Sequence, residues 1–458
     1  MITRLHRCRG IGSVLVAGLS AGALLAGCSG ATSPQPAPSP SHVSSSPSSS
    51  SPRDLAFEAT PSESAEQKRL ATTFHPDDAQ PTGLYLPPNT PVTVTVDRPA
   101  DAPAPVLLVG TYGLNGTDSG EEEEPRTHEL PAATTTVSDP TGGLLYVRYT
   151  NDGGSAPGIT VHFGETARPV PYHVLGATPA AQWRSALDAA KDVPVAQLVG
   201  EHLVLTVSLD SARRNAGQDP DALLREYEHI LAVEDTISGL DGKDPRDRRS
   251  PLRYFVSEGR AGINPNAYYP RVCYPSDSID EVLNVPTLKE SWGMWHELGH
   301  MHQQTAWTWD AVTEVTVNVY SLAVQRDAGR PSRLADDGTP AEVRTYLTGP
   351  AARRSYDPMA DKQPFVGLTM FEQLRLAFGD GFYPELHRLT RRSATPATAE
   401  EAGQYFAVNA SRVSGRNLTG FFTAWGLPVN AKTRADVTAL GLPAPEQDPT
   451  TLAVAKAP

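Results

Sequence analysis

The sequence predicts an α+β protein with a β-rich first half and a mostly helical second half. Three observations carry that prediction. Short β-branched runs separated by turn residues fill 92–163. Helical spacing dominates after Arg168–Pro171. The pentapeptide His-Glu-Leu-Gly-His at 296–300 falls inside one of those helical stretches. A chain of 458 residues is too long for one core, so two domains are expected. They are a β-sandwich-like domain over 71–168 and a catalytic domain over 169–443, followed by a disordered tail at 444–458.

Residues 1–28 read as an export signal. Arg4, Arg7 and Arg9 precede an apolar run from Ile11 to Ala26, and Leu25-Ala26-Gly27-Cys28 matches the bacterial lipobox. Cys28 is the expected lipidation site and mature N-terminus. No apolar stretch is long enough for a transmembrane helix. The protein is therefore expected at a bacterial cell surface, anchored by lipid to the outer side of the membrane. Residues 29–70 are assigned to a disordered linker, rich in Ser and Pro near its start. The net charge of -13 falls to -16 once the three leader arginines leave, which argues against a nucleic-acid partner. Glu121–Glu124 follow a Gly-rich turn and read as a solvated acidic loop. With Cys8 removed and Cys28 lipidated, Cys273 has no partner, so no intrachain disulfide is expected. Cys273 is read as a small packed residue. Asn115, Asn409 and Asn417 lie in glycosylation sequons that carry little weight behind a bacterial leader. A monomer is expected.

In the first domain Val92, Val94 and Val96 alternate with polar residues, and strands are expected at 106–109, 144–149 and 159–163. In the second, Asp219-Pro220 opens a helix with Leu223, Leu224, Tyr227, Ile230 and Leu231 on one face. Strands at 202–209 and 252–257 flank it. Helices over 365–378, closed by Gly379, and 382–391 complete the C-terminal half.

His296 and His300 are four residues apart, so on a helix they stand one above the other and can hold one metal together. A catalytic zinc takes three protein ligands and keeps one position for water. Glu297 lies beside that position and is placed to take the water's proton. Thr287 and Glu290 read as a capping box, which sets the histidine pair mid-helix. Residues 311–325 read as a second helix with Val312, Val315, Val319 and Leu322 on one face. Glu314, in its first turn, is the preferred third ligand, and Asn318 stands one turn further on to orient a ligand from behind. A long-spacer third histidine is excluded, because Gln303 and Ala306 occupy the positions where glycine and histidine are wanted. His302 and Asp310 are rival ligands, but His302 points off the histidine face and Asp310 suits a cap.

Thr82-Gly83-Leu84-Tyr85-Leu86-Pro87, Gly142-Gly143-Leu144-Leu145-Tyr146 and Ser291-Trp292-Gly293-Met294-Trp295 ahead of the histidine motif together resemble the enhancin-like, mucin-degrading zinc metallopeptidases. The resemblance runs from about Thr82 to Pro443. It includes Glu314-Val315-Thr316 and a closing Phe421-Phe422-Thr423-Ala424-Trp425-Gly426. By resemblance, His296, His300 and Glu314 are zinc ligands and Glu297 is the general base. It implies a gluzincin-type zincin domain behind the β-sandwich, and peptide-bond hydrolysis in glycoproteins such as O-glycosylated mucins. An oxyanion donor, a Tyr, His or Arg that the sequence does not single out, is expected from the C-terminal half; Tyr383 and His387 are core residues by default that could reach substrate, and Trp307 and Trp309 either pack in the core or stack on sugar rings. The alternatives are a general extracellular or cell-wall endopeptidase without glycan dependence, and a glycoprotein-binding adhesin. An intact general base beside intact ligands weighs against the adhesin.

Overall fold

The computed structural model describes residues 53–113, 124–335 and 338–454. Cys28, the Ser/Pro stretch up to residue 52, Asn115 and Glu121–Glu123 lie outside the described residues. In order, the first strands are β1 (Asp54–Phe57), β2 (Ala79–Leu86), β3 (Val92–Asp97), β4 (Val106–Gly110), β5 (Arg126–Glu129), β6 (Thr134–Val137), β7 (Gly143–Arg148), β8 (Ile159–Phe163) and β9 (Arg168–Pro169). They form a four-stranded sheet in the order β1-β8-β3-β6 and a five-stranded sheet in the order β5-β4-β7-β2-β9. Alternation sets the faces: Val92, Val94 and Val96 of β3 point inward while Thr93 and Asp97 are exposed. The valines share a core with Leu107, Val109, Leu145 and Val147 of the facing sheet.

The five-stranded sheet is covered on its other face too. There Leu108, Leu144 and Tyr146 pack on Val195, Val204 and Phe255. Burial on both faces explains why Leu107-Leu108-Val109 and Leu144-Leu145-Tyr146 read as continuous apolar runs. The partner layer is a mixed sheet of β10 (Tyr172–Val174), β11 (Val195–Val199), β12 (Leu203–Ser208), β13 (Tyr254–Gly259), β14 (Asn266–Tyr268) and β15 (Arg271–Pro275), in the order β10-β11-β12-β13-β15-β14. Its far face carries the helices Pro220–Ile237 and Trp292–His300, with Leu205, Val256 and Val272 meeting Leu224, Ile230, Met294 and Leu298. The described residues form one compact unit, and the change at Arg168–Pro171 is a step from the five-stranded sheet into the six-stranded one. The C-terminal helices close around Trp307, Phe371, Phe406 and Trp425. Among the described residues no helix is long and apolar enough to cross a membrane.

Two expected disordered segments are corrected. The linker at 29–70 ends too late, because β1 pairs antiparallel with β8 and Glu63–Leu70 is a helix capped by the Ser62 hydroxyl. Phe57 is buried in the sandwich core, which gives this short strand a reason to order. Beyond that helix the chain runs beside the loop that follows the histidines: Thr73 N donates to Gln303 O at 2.8 Å and Thr305 N to Ala71 O at 3.2 Å. The tail at 444–458 is likewise held as far as residue 454, with Gln373 Nε2 donating to the carbonyls of Thr450 and Leu452, both at 3.0 Å.

The Gly142-Gly143 pair is required by a close crossing. Both have positive φ, 68° and 142°, and a Cβ on Gly143 would stand 2.5 Å from the Cα of Gly110. Asp139 holds this turn, accepting from the amides of Thr141 and Gly142 at 2.9 and 2.8 Å and from Arg126 Nε at 2.8 Å. Burial alone would raise the Asp139 carboxyl. Arg126, His128 and those amides outweigh it and hold the pKa at about 2. A depressed folded-state pKa means the stabilisation is complete above about pH 4, the unfolded aspartate value, and is lost as pH falls through about 2. Asp139→Ala is expected to cost about 1–3 kcal/mol at neutral pH. In urea melts its deficit against the unaltered chain should shrink between pH 4 and pH 2, and a pH-independent deficit would contradict this account.

Candidate metal centre and active site

The histidine helix begins at Ser291, whose Oγ accepts from Met294 N at 3.3 Å. The expected capping box at Thr287 and Glu290 does not form. Thr287 Oγ1 instead donates to the carbonyls of Glu281 and Asn284 at 2.6 and 3.0 Å, closing a separate turn, Val285–Leu288. The helix is therefore shorter than expected, Trp292–His300, and His300 is its last residue. Met294, Trp295 and Leu298 face the six-stranded sheet's core, which leaves His296 and His300 toward the opposite side. Gly299 lets the next helix approach, since a Cβ there would lie 3.0 Å from Val317 O.

The expected single helix over 311–325 is split into a turn, Thr313–Thr316, and a helix, Asn318–Asp327. Val312, Val315, Val319 and Leu322 still make one buried face. Asp310 is exposed and does not cap this turn, which follows Val312 without a side-chain cap. Glu314 is carried over the histidines. Its Oε2 lies 3.0 Å from His296 Nε2 and 3.8 Å from His300 Nε2, and the two Nε2 atoms are 3.2 Å apart.

The rest of each imidazole is spoken for. His296 Nδ1 meets Asn318 Oδ1 at 2.9 Å, and Asn318 Nδ2 donates to Glu314 O at 2.8 Å, which sets the amide's orientation. His300 Nδ1 meets Gln303 Oε1 at 2.7 Å, and Gln303 Nε2 donates to Thr313 O and Thr316 Oγ1, both at 2.7 Å. Both Nδ1 atoms must then carry the proton and donate, which leaves both Nε2 lone pairs aimed at the same place as Glu314. Such a triangle needs positive charge at its centre. Tetrahedral zinc with bonds of about 2.0–2.1 Å spaces its ligand atoms about 3.4 Å apart, so this donor set fits it. The charges agree. Burial opposes a proton on His296, but Glu314 and Glu297 lift its pKa to about 9. His300, buried and beside His296, is pulled down to about 4. Burial would raise Glu314, yet the two histidines hold it at about 2. Glu314 is 55% exposed at its side chain, so one side of the triangle is open.

Glu297 is buried next to His296. Burial lifts its carboxyl to about 7, aided by the Glu314 charge and opposed by His296 and Arg271. No local pattern marks Arg271 of β15, and in the sequence Gln303 stands out only as the wrong residue for a different zinc pattern. Its position three residues after His300 was the available signal.

Other candidates are not brought here. His302 is buried beneath the helix, 3.2 Å from Leu298 O and from Asp235 Oδ1. Trp307 and Trp309 are 0% and 5% exposed, so neither can stack on a sugar. Trp307 instead packs on Tyr383 and Phe406. Tyr383 and His387 are buried with them, Tyr383 donating to Phe371 O at 2.6 Å, so neither reaches substrate. Trp307, Trp309 and Tyr383 occupy the C-terminal core because large aromatics fill its volume, and His387 is buried against Trp307. Cys273 is buried in β15 and its thiol is pushed up to about 11, as suits an inert packed residue.

Two family models match the chain. One, peptidase M60, enhancin and enhancin-like, covers residues 166–426, and the N-terminal domain of M60-like peptidases covers 61–163. A TRPM8 channel-associated factor homolog of Xenopus laevis is 28% identical over 382 residues, covering 80% of this chain and 40% of that protein. A crystal structure of a functionally unknown conserved protein of Bacillus anthracis is 30% identical with a TM-score of 0.78, covering 88% of this chain and 82% of the other. The catalytic domain of Clostridium perfringens ZmpC, solved with the sialyl T antigen, superimposes with a TM-score of 0.72 at 18% identity, covering 87% of this chain and 82% of that one. The two-histidine, one-glutamate triangle lies inside the segment that the peptidase model matches, and this chain belongs to the M60 peptidases, the enhancin and enhancin-like family.

Proposed function

We propose that this chain is an exported, lipid-anchored zinc endopeptidase that cleaves peptide bonds in mucin-type O-glycosylated proteins. What carries the reading is the buried Glu297 carboxyl, poised near neutrality beside the triangle of His296, His300 and Glu314. Zinc held there would act as a Lewis acid on the scissile carbonyl and on a water. Glu297 takes the proton of the attacking water and returns it to the leaving amine, for which a pKa of about 7 suits both directions. Asn318 and Gln303 keep the imidazoles aimed, so no reorientation is needed at the moment of reaction. Arg271 restrains the rise of the Glu297 pKa and keeps a fraction ionised at neutral pH. The glycoprotein assignment is supported by the likeness to a catalytic domain solved with the sialyl T antigen, and by the expected export of the chain. The anchor rests on Cys28 and its lipobox.

Glu314→Ala is expected to abolish zinc retention, read by elemental analysis after dialysis. Glu297→Gln should keep zinc and fold but lose roughly 100- to 10,000-fold in turnover. Retained turnover would remove Glu297 from the mechanism.

A mucin-type O-glycoprotein should be cut beside its glycosylated Ser or Thr, and enzymatic removal of the sugars should slow cleavage sharply. Mass spectrometry of the two digests decides: faster cleavage of the bare chain favours a general endopeptidase, and cleavage of neither favours the adhesin.

The membrane fraction should yield a diacylglyceryl adduct at Cys28 by intact mass. A mature N-terminus elsewhere rules the anchor out.

A further inference from the structure

His302, two residues past His300, is turned beneath the histidine helix and buried there. Both of its ring nitrogens meet acceptors. Nδ1 lies 3.2 Å from Leu298 O and 3.2 Å from Glu234 Oε2, and Nε2 lies 3.2 Å from Asp235 Oδ1. With acceptors at both ends, both nitrogens donate. Glu234 and Asp235 are consecutive residues of the helix Pro220–Ile237, 0% and 5% exposed, so one element grips the ring from two sides. Tyr254 and Tyr320 lie beside it, with ring centres 5.5 and 5.8 Å away. Asp235 is itself held. Its second oxygen pairs with Arg249, whose Nη2 lies 3.7 Å from Glu228 Oε2, and Glu228 Oε1 accepts from His202 N at 2.7 Å.

Such a cluster is a poor way to gain stability. Desolvation offsets the attraction within a buried ion pair, and packed apolar side chains of the same volume do as well or better. Here burial lifts the Glu234 carboxyl to about 7 against the pull of His302, and Glu234 Oε1 meets no donor among the described residues. What the cluster supplies is direction. Partners at opposite nitrogens fix both the place of the ring and its rotation. The peptide that follows is fixed as well, because Tyr320 Oη donates to His302 O at 2.7 Å. Gln303 departs from that carbonyl, and its Oε1 has to stand 2.7 Å from His300 Nδ1. A ring free to swing would carry with it the backbone from which Gln303 reaches.

We propose that Glu234 and Asp235 are positioning residues for the metal centre, clamping His302 so that the backbone at Gln303, and with it the aim of His300, is fixed. The inference rests on the zinc reading of the triangle above. It assigns a task to three buried charged side chains that neither hold the metal nor move the proton, and it makes the helix Pro220–Ile237 part of the machinery that orients His300.

The test uses the full chain, stripped of metal and titrated with zinc against a chromophoric chelator. Glu234→Leu removes one side of the clamp while Asp235 remains as counter-charge to the ring. The melting temperature of the metal-free variant should therefore match or exceed that of the unaltered chain. Its zinc affinity should nevertheless fall roughly tenfold. Glu234→Gln keeps an acceptor at the ring and should keep most of that affinity. The visible spectrum of the cobalt(II)-loaded chain, which reports ligand geometry, should change in Glu234→Leu and not in Glu234→Gln. Asp235→Asn turns an amide donor toward the ring or toward Arg249, so it should weaken zinc binding too, and it carries the test if Glu234→Leu fails to fold. An unaltered chain that takes up no zinc overturns the zinc reading and the proposal together. An unaltered chain that binds zinc, with Glu234→Leu and Asp235→Asn matching its affinity and cobalt spectrum whatever their melting temperatures, marks a structural role and overturns the proposal alone.

Discussion

Two buried imidazoles bring their Nε2 atoms to within 3.2 Å of one another and one of them to 3.0 Å from Glu314, and this architecture holds them there. Asn318 and Gln303 remove the choice of tautomer, and the segment 313–318 removes the choice from those amides in turn. That segment contributes Glu314, the carbonyls of Glu314 and Thr313, the Thr316 hydroxyl and Asn318 itself. Glu314 and both orienting contacts are thus one mechanical unit. A shift of that turn would loosen every member together, which is why the Gly299 close approach that seats the neighbouring helix matters as much as the histidines.

The same logic extends outward. The histidine helix rests on the six-stranded sheet, that sheet rests on the five-stranded one, and the latter shares a core with the four-stranded sheet. The β-sandwich is therefore a foundation of the site and not an appendage. Its leading segment also reaches the site directly: Thr73 and Gln304 lace residues 70–73 to the loop carrying Gln303, and Phe74 edges His300. The expected boundary at residue 168 falls where the chain passes from one packed sheet to the next.

Charge follows from burial. Glu297, desolvated, sits near neutrality, while Glu314, more open and flanked by two histidines, is held strongly acidic. Two carboxylates on adjacent elements are thereby suited to different tasks, proton acceptor and ligand in the proposed mechanism, with Arg271 of β15 moderating the first. One residue type serves both because its environment differs.

Local rules made much of this legible. Alternation in Val92–Val96, Asp219-Pro220 opening a helix and the four-residue spacing of His296 and His300 depend on near neighbours, so a sequence reader sees them as the chain does. Glu314 was within reach because Val312, Val315, Val319 and Leu322 mark the face its turn must bury. Long-range decisions were not legible. Thr287 abandoned its capping role for carbonyls of a preceding turn, Asp54–Phe57 ordered because a sandwich edge was waiting for it, Trp307 went inside because two distant helices offered Tyr383 and Phe406, and Trp309 turned in to donate to Asp357. By itself the sequence determined which residues can hold a metal and move a proton, since that is a matter of residue type and helical period. Only the tertiary structure decided which amides aim them and which aromatics remain in solvent, because those choices are made between segments far apart in the chain.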